Sequence, residues 1–315
     1  MQLSAHGLYA ASVPAPEKAA PVFDCPQGSE KAEDFPWAGA ARLLDAKAGG
    51  KEDLAPVFAS HAPGILKQFD ADRANTAALS LWGESINYDE LANGIIVRNE
   101  VLGFISSRLG VAQPKGKIVH AGMEHTYGYL FSLLPTKFGF KRARWVRPDI
   151  EEGLGLPRGS AGPAPAEGTL LANVTCLAGG IALKDDQAAS ALLERAKPFC
   201  AAALRNYSPA RRLRLSEEVA LPGGRKVTLR TDLVPFLKKA GGNSHLLVYS
   251  FYDSAAKRAF LVTAFPVNEE FVERAVAPSG LGEGKAVQTR YNAHVEGFTG
   301  AGSFKGKRSV TVSGK

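Results

Sequence analysis

Apolar residues fall at helical spacing in the first half of this chain and mostly at alternate positions in the second. Between 51 and 112, Leu54, Val57 and Phe58 open a helical pattern, and Ile65, Leu66 and Phe69 resume it after Pro63-Gly64. The clearest helix spans 99–109. Asn99 stands where a cap belongs, Val101, Leu102, Ile105 and Leu109 share one face, and Gly110 stops the run. Upstream, Pro14, Pro16, Pro21, Pro26 and Pro36 remove backbone donors from a segment without periodicity. That predicts an extended arm over 1–50 with one short helix near 37–46, pinned to the body by Phe35, Trp37, Leu43 and Leu44.

Further on, Arg211–Leu221 and Arg225–Leu233 flank Pro222-Gly223-Gly224, and His245–Asp253 and Ala259–Pro266 flank Ser254–Arg258. Both arrangements predict hairpins. Asn268 is placed to cap a short helix to about Val276, and Ala286–Glu296 predicts another strand, so one antiparallel sheet is expected across Arg211–Glu296. Thr169–Leu183 reads as a strand with a bulge at Gly179-Gly180, and 186–205 as a helix interrupted at Pro198. The Gly- and Pro-rich 148–168 reads as a loop, either a lid or a surface excursion. These elements give an α+β fold, with a largely antiparallel sheet built from hairpins and interspersed helices, preceded by a helical N-terminal region. The expected organisation is an arm (1–50), a mainly helical region (51–112) and a sheet body (113–315), the last two able to form one domain.

The 45% hydrophobic and 22% charged fractions exclude wholesale disorder. A net charge of +7 favours an anionic partner, but the basic residues are dispersed, with clusters only at 141–147, 211–214 and 305–308. No zinc-finger spacing, basic-region heptad or RNP-like motif accompanies them, so nucleic acid is an unlikely partner. No apolar run has the ~18 residues of a membrane span, and the first residues lack a basic n-region. A soluble protein is expected, cytoplasmic in preference to periplasmic or secreted. Cys25, Cys176 and Cys200 include no CxxC and fit either a reduced compartment or one disulfide with a spare thiol.

Candidate chemistry concentrates in Lys115–Arg147, which holds two of the six histidines, several aromatics and a basic run. As a helix, Met123, Tyr127, Leu130, Phe131 and Leu134 form an apolar stripe. As strands, Tyr127–Leu134 and Phe138–Val146 close a hairpin around Pro135-Thr136-Lys137. Gly128, the aromatic content and the turn chemistry favour the strands. His120, Glu124, His125 and Tyr127 are the catalytic candidates, as general acid and base or, with a third ligand, around a divalent metal. The spacing H-x-x-x-E-H matches neither orientation of the zincin motif. Tyr129 would offer a stacking face. Arg142 and Arg144, sharing a strand face, would anchor a carboxylate or phosphate. Arg290, Asn292 and His294 form a second polar cluster.

Three motifs fail on their spacing. Gly83-Glu84-Ser85-Ile86-Asn87 has Asn87 where the nucleophile elbow of serine hydrolases needs glycine, which weakens Ser85 as a nucleophile. The 300–309 segment lacks phosphate-loop spacing, and 280–284 is short of a dinucleotide fingerprint. The expectation is an enzyme acting on a small anionic or polar substrate by hydrolysis or other proton transfer. Its site would lie beside His120–Tyr129 and draw in a basic residue from 141–147. The alternatives are an exported, non-catalytic protein using the aromatic and arginine-bearing face, and a basic surface for nucleic acid or anionic lipid.

Overall fold

The computed structural model describes residues 36–89, 92–136, 139–146, 149–276, 292–296, 298–299 and 308–313. The expected α+β architecture is present. Four helices open it: α1 (Trp37–Gly49), α2 (Ala55–His61), α3 (Pro63–Ala74) and α4 (Thr76–Ser80). Pro63 opens α3 at a position where its missing N–H costs nothing. Two short antiparallel strands, β1 (Glu84–Ile86) and β2 (Ile118–His120), follow, with α5 (Asn99–Leu109) between them in sequence. The apolar face of α5 is buried as its spacing requires, and Gly110 closes it at φ 72°. Asn99 is not its side-chain cap. Its amide instead donates to the Gly116 carbonyl at 2.6 Å.

The C-terminal body is a five-stranded antiparallel sheet in the order β11-β5-β6-β7-β8. Its strands are β5 (Arg212–Ala220), β6 (Lys226–Ala240), β7 (Asn243–Asp253), β8 (Arg258–Val267) and β11 (Arg308–Ser313). Both expected hairpins are there, and a third joins β6 to β7 through Gly241-Gly242, each at positive φ. α12 (Glu269–Val276) follows, with Asn268 accepting the Phe271 N–H at 2.9 Å. One expectation is corrected. β9 (Ala293–Val295) leaves this sheet and, with β10 (Phe298–Thr299), builds a second one in the order β10-β9-β1-β2. The rest of the predicted 286–296 strand lies outside the described residues.

Each face of the large sheet buries a separate core. Val234, Leu246, Val248 and Leu261 pack with the helices. Leu229, Leu233, Leu247, Phe251 and Val262 pack with Ala293 and Val295 of the small sheet. At the centre of the helical side lies α9 (Leu170–Ala182), where a strand was expected. All 13 of its residues are buried. A segment enclosed on every side shows no polar face, so its spacing cannot distinguish helix from strand. Thr169 supplies the decisive signal by capping the Ala172 N–H. Gly179 and Gly180 are therefore contact points and not a bulge. A β-carbon on Gly180 would lie 2.5 Å from the Tyr207 carbonyl oxygen. Gly180→Ala is expected to lower stability by about 1–3 kcal/mol, because backbone cannot yield as a side chain can. Thermal unfolding of the variant checks this.

The remaining connections are pinned. α10 (Gln187–Ala196), capped by Asp186, ends at a 3-10 turn containing Pro198, as its sequence predicts, and α11 (Ala202–Arg205) follows. Phe199, within that turn, is 42% exposed. A disulfide joins Cys176 in α9 to Cys200. The expected 148–168 loop begins with a helix, α8 (Asp149–Leu154), packed on β6. Beyond it, Glu151 accepts the N–H groups of Gly159 and Ala161 at 2.8 and 2.7 Å, and Gln68 donates to the Pro163 carbonyl at 2.7 Å. The Gln68 bond ties the segment to the body, while Pro157, Arg158, Ala164, Ala166 and Glu167 stay exposed, as the surface-excursion reading expects.

Candidate functional site

The central stretch is helical, so the predicted hairpin is not formed. α6 (Ala121–Met123) runs directly into a π-helical turn over Glu124–Gly128, and the Tyr129 N–H closes it on the Glu124 carbonyl. Only the short strands β3 (Pro135–Thr136) and β4 (Gly139–Phe140) remain of the hairpin, followed by α7 (Ala143–Val146). Glu124, His125, Thr126, Tyr127 and Gly128 are all buried, so aromatic and β-branched content was a misleading guide here. Gly122 allows the contact that seats this segment, since a β-carbon there would lie 2.5 Å from the Trp82 ring. Isolated π turns recur at functional sites, where the wider turn re-aims side chains.

Around this turn lies a buried polar network. Ser85, inward-facing on β1, donates its hydroxyl to Glu124 Oε2. His125 Nε2 stands 3.2 Å from the same oxygen without hydrogen-bond alignment, and its Nδ1 meets the Tyr129 hydroxyl at 2.6 Å. Trp145 donates to the His125 carbonyl at 2.6 Å. Outermost are Lys141 and Asp89, paired at 2.7 Å with side chains 10% and 15% exposed, and the Lys141 ammonium lies 5.3 Å from the Tyr129 ring centre.

Burial sets the electrostatics. It raises the Glu124 carboxyl to about 8, although the Ser85 hydrogen bond and the Lys141 charge pull the other way. Burial, reinforced by Lys141, holds His125 well below the usual imidazole range. Tyr129 is driven upward by burial and by the Glu124 charge. At neutral pH the network therefore contains a protonated carboxyl beside a neutral imidazole. Glu124 Oε1 has no hydrogen-bond partner among the described residues, which leaves one face of this acid uncommitted.

The other predicted residues are divided among different places. His120 is an N-cap: Nδ1 accepts the Met123 N–H at 3.3 Å, and Nε2 donates to the Leu79 carbonyl at 3.1 Å. With both nitrogens engaged it does not join Glu124, and burial holds it down to about 4. Tyr127 belongs to another cluster, donating to Asp72 at 2.6 Å while Thr169 donates to the other Asp72 oxygen. Asp72 thus ties α3, the π turn and the cap of α9 together, and burial raises it to about 7. Asp72→Ala would leave the buried Thr169 hydroxyl without its acceptor and the Tyr127 hydroxyl with Gln68 alone at 3.1 Å, and is expected to cost about 1–3 kcal/mol. Urea unfolding of this variant beside Tyr127→Phe reads the effect.

Arg142 and Arg144 do not share a strand face, because α7 begins between them. Arg142 is fully buried, donating to the Ser132 carbonyl at 3.1 Å and lying 3.8 Å over Phe140. Arg144 is half-buried over Phe265 at 4.9 Å, near enough to Tyr129 and Lys141 for its charge to act on both. Arg290 lies outside the described residues. The Asn292 carbonyl accepts the Ile86 N–H, and His294 stands opposite Glu84 in the ladder.

His294 and His120 meet in another setting. Glu84 pairs in register with His294 of β9 on one side and His120 of β2 on the other. These three line an open groove of about 290 Å³ together with Trp82, Phe251 and Arg225. Sequence reasoning missed Glu84, Asp89 and Trp145 as site members, named Lys141 only as one of the basic residues of 141–147, and discounted Ser85 on its motif. No local signal marks them, since only the fold brings 85, 124 and 141 together. Among the described residues, no three His, Cys, Asp or Glu side chains converge as metal ligands, and no helix is long and apolar enough to cross a membrane. Compared with known protein families, curated proteins and solved structures, the chain finds no match.

Proposed function

We propose that this chain is an enzyme acting on a small anionic or polar substrate by proton transfer, with hydrolysis as the reaction class. The observation carrying this reading is the buried Glu124 carboxyl. One of its oxygens meets both a hydroxyl and an imidazole, the other is uncommitted among the described residues, and its surroundings raise it to about 8. Such a group can donate and recover a proton at neutral pH, which an ordinary carboxyl does poorly. Protonated at the outset, Glu124 gives its proton to the leaving atom and regains one from the incoming water. Tyr129 fixes the orientation of His125, and so the direction in which the imidazole can take or return that proton. Arg144 keeps the anchoring role expected of the Arg142/Arg144 pair for a negative substrate group, with Lys141, paired to Asp89, adding its charge nearby.

The basic clusters give little support to nucleic acid. Arg212 and Arg214 are engaged with Asp185 and Asp232, and Lys141 with Asp89. The Cys176–Cys200 disulfide supports an oxidising compartment, periplasmic or secreted, over the cytoplasm. The test is turnover of small carboxylated esters, amides and phosphate monoesters by wild type and Glu124→Gln. Hydrolysis of at least one class, lost in the variant, is expected. Turnover of none, or turnover preserved in Glu124→Gln, would reject the reading.

A further inference from the structure

The groove beside β1 has a construction of its own. Its floor is aromatic: Phe251 and Phe260 stack at 5.3 Å between ring centres, and Trp82 closes one end. Gly83 makes the floor possible, because a β-carbon there would lie 2.7 Å from the Phe251 ring. The rim carries both signs of charge, from Glu84, Glu296 and Lys115 and from the ion pair of Arg225 with Asp253. Arg225 and Asp253 neutralise each other. Glu84 is exposed, and neither its carboxylate nor the Lys115 ammonium has a side-chain partner among the described residues.

Alternation along β1 sends Glu84 to this groove and Ser85 to the Glu124 network, on opposite faces of the strand. The groove is therefore separate from the acid–base site. A purely anionic ligand would face the Glu84 charge, and a purely cationic one would leave Lys115 unused. A wholly apolar ligand would desolvate both without compensation.

We propose that the groove binds a zwitterion of amino-acid size with an aromatic or large apolar side chain. Its ammonium would pair with Glu84, its carboxylate with Lys115, and its side chain would lie over Phe260, which the buried Phe251 backs. The volume of about 290 Å³ suits one such molecule and not an extended peptide.

The test uses the full chain and three probes: L-phenylalanine, phenethylamine and 3-phenylpropionate, titrated by calorimetry. Wild type is expected to bind L-phenylalanine more tightly than either analogue. Glu84→Gln, at an exposed position that threatens no packing, is expected to weaken L-phenylalanine and phenethylamine by at least ~10-fold. Lys115→Gln should weaken L-phenylalanine and 3-phenylpropionate but spare phenethylamine. Absence of L-phenylalanine binding would overturn the proposal. So would equal affinity in Glu84→Gln, or tighter binding of a singly charged analogue. Each result is independent of turnover, so it leaves the Glu124 reading standing or falling on its own test.

Discussion

Glu124→Gln is expected to reduce turnover by ~10²–10⁴-fold while making the protein more stable at alkaline pH. The two effects share one cause. Folding raises this carboxyl from the usual 4.5 to about 8, so the folded chain holds the proton more tightly than the unfolded one. The resulting stability is complete below about 4.5 and is lost as pH climbs toward about 8. Asp72, raised from 3.8 to about 7, adds a loss of the same sign over a lower window. Buried histidines act oppositely. His120 and His125 are pushed down, so their contribution falls away only as pH drops below 6.5. Between pH 6.5 and 8 the histidines are silent and Glu124 dominates the slope. Gln has the shape of the protonated acid and cannot ionise. The variant should therefore gain on wild type by roughly 2 kcal/mol across that interval, at ~1.4 kcal/mol per pH unit. Thermal midpoints at pH 6.5 and 8.5 measure it. A parallel shift of both proteins would show that Glu124 is not the group that ionises.

Removing the Cys176–Cys200 bridge is expected to lower stability by ~3 kcal/mol and the thermal midpoint by roughly 5–10 °C. The bridge closes a loop across 24 positions of sequence, and it ties the centre of the core to the turn after α10. Its sulfurs are buried, Cys176 at 2% and Cys200 at 0% exposure, so reductant should act slowly on the native protein. Cys176→Ala with Cys200→Ala avoids placing hydroxyls in that core. Thiol titration in denaturant decides whether the bond forms. With three cysteines in the chain, one thiol should titrate before reduction and three after it. Three before reduction would refute the bridge.

Elements with one wet face were legible in the sequence, and enclosed ones were not. The stripe of α5, the two turns at 222–224 and 254–257, and the Asn268 cap each pair a buried pattern with a polar counterpart. α9 and the 121–130 segment have no exposed side, so neither period could be read from them. The candidate site was half legible for the same reason. Glu124, His125 and Tyr129 lie within one turn or two of each other and were found together. Ser85, Asp89 and Lys141 reach them only through packing. His120 was drawn in by proximity in sequence, although it spends both nitrogens on backbone groups.

β1 is only three residues long, yet it separates an open groove from a buried polar network. Its outer side presents Glu84 to the groove, and its inner side presents Ser85 to Glu124. A slip of one residue against β2 and β9 would drive the Glu84 charge into the core and take the Ser85 hydroxyl away from Glu124. The same error would erase the groove's carboxylate. Correct pairing of this strand thus acts as a checkpoint through which both sites must pass, so a misfolded chain should lose the two together.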